Sequence, residues 1–191
     1  MTRRPALILP VLLLVAAALG RGWLEATMAR HMLIELPLLF AIGWLAVRSP
    51  RSGETPLRWN ANSLPALFAA MLITAFWMLP VALDLAVLDA RVGVAKALSM
   101  LVAGALTGAV WRSAGLVMQA FFIFNWTWMA LTAGLLYQDA PQQLCSVYLS
   151  DQQPAAGRGM VILSLAVLGT WVAHAVHVLG LQEEKLQQRS R

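Results

Sequence analysis

The residues best suited to chemistry stand together at the mouth of the second hydrophobic segment, Thr27-Met28-Ala29-Arg30-His31-Met32. Met28, His31, Met32 and Glu35 fall at i, i+3, i+4 and i+7, a spacing that a helix gathers onto one face. Thioether plus imidazole is a ligand set for copper, cuprous copper above all, and a poor one for magnesium or calcium. The same residues also read as an interfacial histidine among methionines that fill gaps in a bundle. The segment alone leaves both readings open.

Other candidates lie further along. Trp77-Met78-Leu79-Pro80 is followed by Asp84, and a carboxylate inside a membrane helix normally faces a cavity or a partner. Residues 137–158 form a loop with Tyr137, Asp139, Cys145, Tyr148 and Asp151-Gln152-Gln153. Trp171, His174 and His177 are spaced i, i+3, i+6, but His174 lies some 22 Å along a helix from Gly159, so it should not meet His31. A heme between helices would want another histidine at that depth, and the chain has only three in all. The aromatic run Phe121 to Trp128 offers a surface for packing, lipid or a quinone, with Asn125 and Thr132 as interhelical hydrogen-bonding groups. Gly104 and Gly108 read as small residues for close helix approach. No hydrolytic triad, phosphate-cradling glycine loop, zinc motif or carboxylate pair is present, so an enzyme is not expected.

The elements that position these residues follow from composition. The chain of 191 residues is 60% hydrophobic and 12% charged, with a mean hydropathy of +0.69. A soluble domain carries about 25% charged residues; this chain has too little polar surface to cover itself in water. It reads as an all-α, polytopic transmembrane bundle with about six spans, near 6–20, 32–47, 64–88, 93–111, 115–136 and 159–181. Helices are expected because lipid leaves no other way to pair the backbone. Pro10, Pro37 and Pro80 interrupt them. One domain, 1–181, is followed by a polar tail, 182–191, and residues 48–63 read as a plain connector. The first segment also reads as a cleavable secretory signal, with Arg3 and Arg4 ahead of an apolar run and Ala16-Ala17-Ala18.

Charge sets the orientation. With both termini in the cytoplasm, Arg3, Arg4, Arg48, Arg51, Arg58, Arg112, Lys185, Arg189 and Arg191 lie inside; Arg21, Arg30, Arg91, Lys96 and Arg158 lie outside. His31, Asp84 and Asp151 then share the outer side. The net charge of +5 is scattered over helix ends with no basic stripe, so nucleic acid is not an expected partner. The single cysteine, Cys145, excludes an internal disulfide.

Taken in order, four pieces resemble the CtaG-like cytochrome c oxidase assembly factors. They are Thr27-Met28-Ala29-Arg30-His31-Met32 with Pro37-Leu38-Leu39; Trp77-Met78-Leu79-Pro80 with Leu83-Asp84; Lys96 to Gly104 and Trp111; and Tyr148 to Gln153 with Gly157. The match runs from about residue 23 to 165. The resemblance implies a multi-pass protein of the bacterial inner membrane that helps deliver copper to a respiratory oxidase at the periplasmic face. Together with the shared outer side, the resemblance implies His31, Met28, Met32 and Met78 as metal ligands holding Cu(I), with Glu35, Asp84 and Asp151 as supporting polar residues. The expected partners are membrane lipids and oxidase subunits. Thr27, Met78 and Lys96-Ala97 stand where the family has histidines or an acid-histidine pair, and an N-terminal span is missing. The same resemblance therefore also implies a non-catalytic accessory or scaffold subunit that has lost its metal.

Overall fold

A computed structural model describes residues 4–47 and 63–189. Helix α1 (Arg4–Leu19) and the short α2 (Arg21–Leu24) lead to Thr27, whose side chain caps α3 (Met28–Arg30) by accepting from the Arg30 N–H. A π-helical turn, His31–Glu35, joins α3 to α4 (Leu36–Val47), making one rod from Met28 to Val47. In that turn the Leu36 N–H reaches back five residues to the His31 carbonyl. Pro37 accounts for its position. It has no N–H to offer Leu33, and its ring crowds the preceding turn, which a wider turn relieves.

Helices α5 (Leu64–Phe76) and α6 (Pro80–Leu88) meet at a bend of 74°. The continuous span expected over 64–88 is therefore broken. Pro80 opens α6 from an extended Leu79, the Met78 carbonyl at the break accepts from Tyr137 Oη at 3.2 Å, and the Cys145 thiol faces Pro80 O at 4.0 Å. Asp89 then caps α7 (Ala90–Val110) through the Arg91 N–H at 2.7 Å. The tight turn into α8 (Gly115–Asp139) uses Gly115 at φ +66°, a left-handed backbone that a side chain would oppose. A loop and a 3-10 turn (Ser150–Gln152) lead into α9 (Gln153–Arg189).

Helix α9 starts earlier than the span expected at 159–181. The tail expected from 182 continues it as helix through Arg189, exposed along its length. The connector expected at 48–63 lies outside the described residues except for Ser63.

Helix α7 is the hub: α4, α5 and α6 all pack on it, while α9 packs along α8. The α4–α7 crossing depends on two glycines. A Cβ on Gly43 would run into the Leu101 carbonyl, and one on Gly104 into the Phe40 carbonyl, so the two backbones touch there. The close approach expected of Gly104 is present.

Among the described residues, four helical stretches are long and apolar enough to cross a membrane: Met28–Val47, Ala90–Val110, Gly115–Asp139 and Ser150–Gln188. The bent α5–α6 pair makes up to five, and Ile8–Leu19 is a shorter apolar helix. Large apolar side chains face outward along them, among them Leu12, Leu72, Val117, Trp128, Ile162 and Val176. So much exposed apolar surface would aggregate in water and suits lipid; the fold is compatible with a membrane protein.

Candidate functional site

Lys96 is the centre of the site. It lies on the second turn of α7, is 1% exposed, and brings an ammonium into an otherwise apolar helix. Such a charge must be matched by acceptors. Its Nζ donates to Glu25 Oε1 at 3.0 Å, to Glu35 Oε1 at 2.7 Å and to His31 Nε2 at 3.0 Å. An ammonium has three N–H groups, and all three are spent.

Those contacts assign the His31 tautomer. Tyr148 Oη has one proton, which it donates to the Glu25 carbonyl at 3.1 Å; the 2.7 Å contact from His31 Nδ1 must then be an N–H donated to Tyr148. Nε2 is left with a lone pair, which accepts from Lys96. The ring is neutral, fully buried, and hydrogen-bonded at both nitrogens. Glu35 Oε2 lies 3.6 Å from Nε2 and has no hydrogen-bond partner among the described residues. Arg21 closes the network: its Nε donates to Glu25 Oε2 at 2.9 Å and its Nη2 to Ala86 O at 3.2 Å.

The loop between α8 and α9 is folded to deliver Tyr148. Asp84 on α6 accepts from Ser146 N at 2.6 Å, Ser146 Oγ at 2.8 Å and Val147 N at 3.3 Å. Gln143 Nε2 bridges the carbonyls of Cys145 and Tyr148 at 2.9 and 2.7 Å. Gln152 Oε1 accepts from the Met28 N–H at 3.2 Å, and Gln153 Oε1 from the Leu144 N–H. Burial, then the Asp84 charge, pushes the Cys145 thiol up to about 11. Burial first, then the Glu25 and Glu35 carboxyl groups, pushes the Tyr148 hydroxyl upward too. Both keep their protons at neutral pH, as the hydrogen bonds require.

The residues singled out from the sequence thus part company. His31 and Glu35 join the polar cluster. Met28 is buried against the loop. Met32 and Met78 line an apolar cavity that they share with Met100 and Met160. Asp84 serves the loop rather than the histidine, and Asp151 is exposed in the 3-10 turn, outside the cluster. Lys96, read from the sequence as an outer-loop charge, is instead the buried hub; Glu25 and Arg21 were not singled out. A lysine seven residues past the Asp89 cap, within an apolar helix, was the signal that marks it.

Cuprous copper does not fit His31 in this arrangement. Neither ring nitrogen has a free lone pair, and an ammonium stands where a cation at Nε2 would have to sit. Among the described residues, no group of three histidine, cysteine, aspartate or glutamate side chains converges to hold a metal.

No curated protein and no solved structure matches the chain. Residues 8–177 match the model of a family described as "Protein of unknown function (DUF1404)", which covers the rod, the α7 hub, the Tyr148 loop and most of α9, and the chain belongs to that family.

Proposed function

We propose that this protein is a non-catalytic scaffold of the bacterial inner membrane, crossing it six times with both termini in the cytoplasm, and that it serves a respiratory oxidase or a related membrane complex as an accessory subunit. The six crossings require α1 and the bent α5–α6 pair each to count as a span. The oxidase is the partner implied by the sequence resemblance. One observation carries the choice of scaffold over copper carrier: the three donors of Lys96 are spent on Glu25, Glu35 and His31. A ligand that must first expel a buried ammonium from its own lone pair is poorly built for handing metal on. A cluster of paired charges held by three segments is well built for fixing one helix arrangement.

Two measurements test this reading. Protein purified in mild detergent and challenged with Cu(I) buffered by a chromophoric chelator should retain no copper that depends on His31. Respiratory-complex subunits should co-purify from native membranes at fixed stoichiometry. One equivalent of Cu(I) that disappears in His31→Ala would overturn the scaffold reading and restore copper delivery to the oxidase as the function.

A further inference from the structure

A cleft opens along α9 and borders the Lys96 cluster on the Met28–Val47 rod. Helix α9 packs along α8 and, near its start, on α3 and the π-turn, whereas α4 packs on α7. Between them lies a cavity of about 270 Å³, walled by Met32, Phe40, Met78, Met100, Trp126 and Met160 among others. Almost nothing in its wall is polar, so water would find few partners there. It adjoins an open groove of about 820 Å³ towards the α7–α8 turn, and Trp44, Trp111, Ile123 and Val167 line both. Along α9 the shared cleft runs from Met160 to Gln182, roughly 33 Å, close to the hydrocarbon thickness of a bilayer.

The two ends differ in chemistry. The far end is apolar and rich in thioethers, soft surfaces that accept chains of varied shape. The open end carries Arg112, which is exposed and forms no ion pair among the described residues, with His174 and Gln182 opposite on α9. Gln119 is tied down there, donating to the Trp111 carbonyl at 2.8 Å and accepting from Trp171 Nε1 at 3.2 Å. Glu183 and Glu184 follow on α9 but do not line the groove. A guanidinium at the mouth of an apolar cleft, flanked by tryptophans, complements a phosphate ester with a long hydrocarbon tail.

We infer that this cleft holds one anionic phospholipid of the surrounding bilayer, its phosphate on Arg112 and one acyl chain running towards Met32 and Met78. The assignment does not depend on which complex the protein serves.

Four of the eight tryptophans, Trp44, Trp111, Trp126 and Trp171, line the cleft, and bromine on an acyl chain quenches indole on contact. The full chain in phosphatidylcholine vesicles would be titrated with brominated phosphatidylglycerol and, separately, with brominated phosphatidylcholine. Comparing the two at equal mole fraction cancels quenching from bulk lipid. Phosphatidylglycerol should reach half-maximal quenching at a mole fraction at least five-fold lower than phosphatidylcholine. Arg112→Gln should erase that difference and Arg112→Lys keep most of it. Ala166→Phe, at an exposed position on the groove wall, should reduce the excess quenching by blocking the tail. Equal quenching by the two lipids in the unaltered protein, as expected of a neutral isoprenoid or a protein helix in the cleft, would overturn the proposal. So would a preference that survives Arg112→Gln or an excess untouched by Ala166→Phe.

Discussion

The cluster around Lys96 and the cleft beside α9 border one another on the Met28–Val47 rod, yet they are opposites. His31 and Glu35 point into the first, while Met32 and Leu36, their immediate neighbours, line or adjoin the second. In the cluster the donors of Lys96 and His31 are all spent within the protein, Glu35 Oε2 is left without a partner among the described residues, and the loop closes over them. In the cleft there is space, little polarity and a charge left at the mouth. The contrast shows that chemically rich side chains do not by themselves make a binding site. The richer region has spent its donors, and the plainer one has room.

The sharpest way to break the contrast is to remove the hub. Lys96→Met leaves the Glu35 carboxyl and the His31 imidazole buried without their donor, with Glu25 held by Arg21 alone, and should cost roughly 3–5 kcal/mol, the range for breaking a buried ion pair. Thermal unfolding in detergent would measure it, and adding Glu25→Gln and Glu35→Gln should recover part of the loss. A variant as stable as the parent would mean that Lys96 is hydrated. Asp84→Ala comes next. It strips the Ser146 and Val147 donors of their acceptor and should cost about 1.5–3 kcal/mol, in line with hydrogen bonds to a charged group. The loop should then be cut sooner by protease while α7 stays protected; unchanged cleavage would deny Asp84 its role as the loop anchor.

The smallest effect is a pH effect. The Cys145 thiol is held at about 11 against its ordinary 9.0. The folded state therefore keeps this proton longer than the unfolded chain does. Its contribution to stability is whole below pH 9 and is lost as pH rises through 11. Tyr148 acts in the same direction. Melting temperature should accordingly fall over that window, less steeply in Cys145→Ala, and a thiol reagent at pH 8 should label the folded protein slowly. Rapid labelling at pH 8 would contradict the closed loop.

The helices were legible because hydropathy and the need to pair the backbone in lipid leave few alternatives. Pro80 announced a bend, though not one of 74°. The stripe Met28, His31, Met32, Glu35 was read as one helical face, and all four residues are buried. What it touches was not legible. Lys96 reaches Glu25 across 71 positions and His31 across 65, and Tyr148 reaches His31 across 117. No local period records such pairings. The π-turn, which sets how the stripe divides between cluster and cavity, leaves only Pro37 as a trace. Asp151 shows the reverse error. It shares a side of the bundle with His31 in the expected topology, but a 3-10 turn leaves it in the open.

The most direct test of the Lys96 account is the protonation of His31 itself, read by 15N NMR of histidine-labelled protein in detergent, with His174→Gln and His177→Gln used to assign the signals. At pH 7 the ring should show a pyrrole-type Nδ1 and a pyridine-type Nε2, and one equivalent of buffered Cu(I) should leave both unmoved. A protonated Nε2, a doubly protonated ring, or a shift of Nε2 on adding Cu(I) would contradict it.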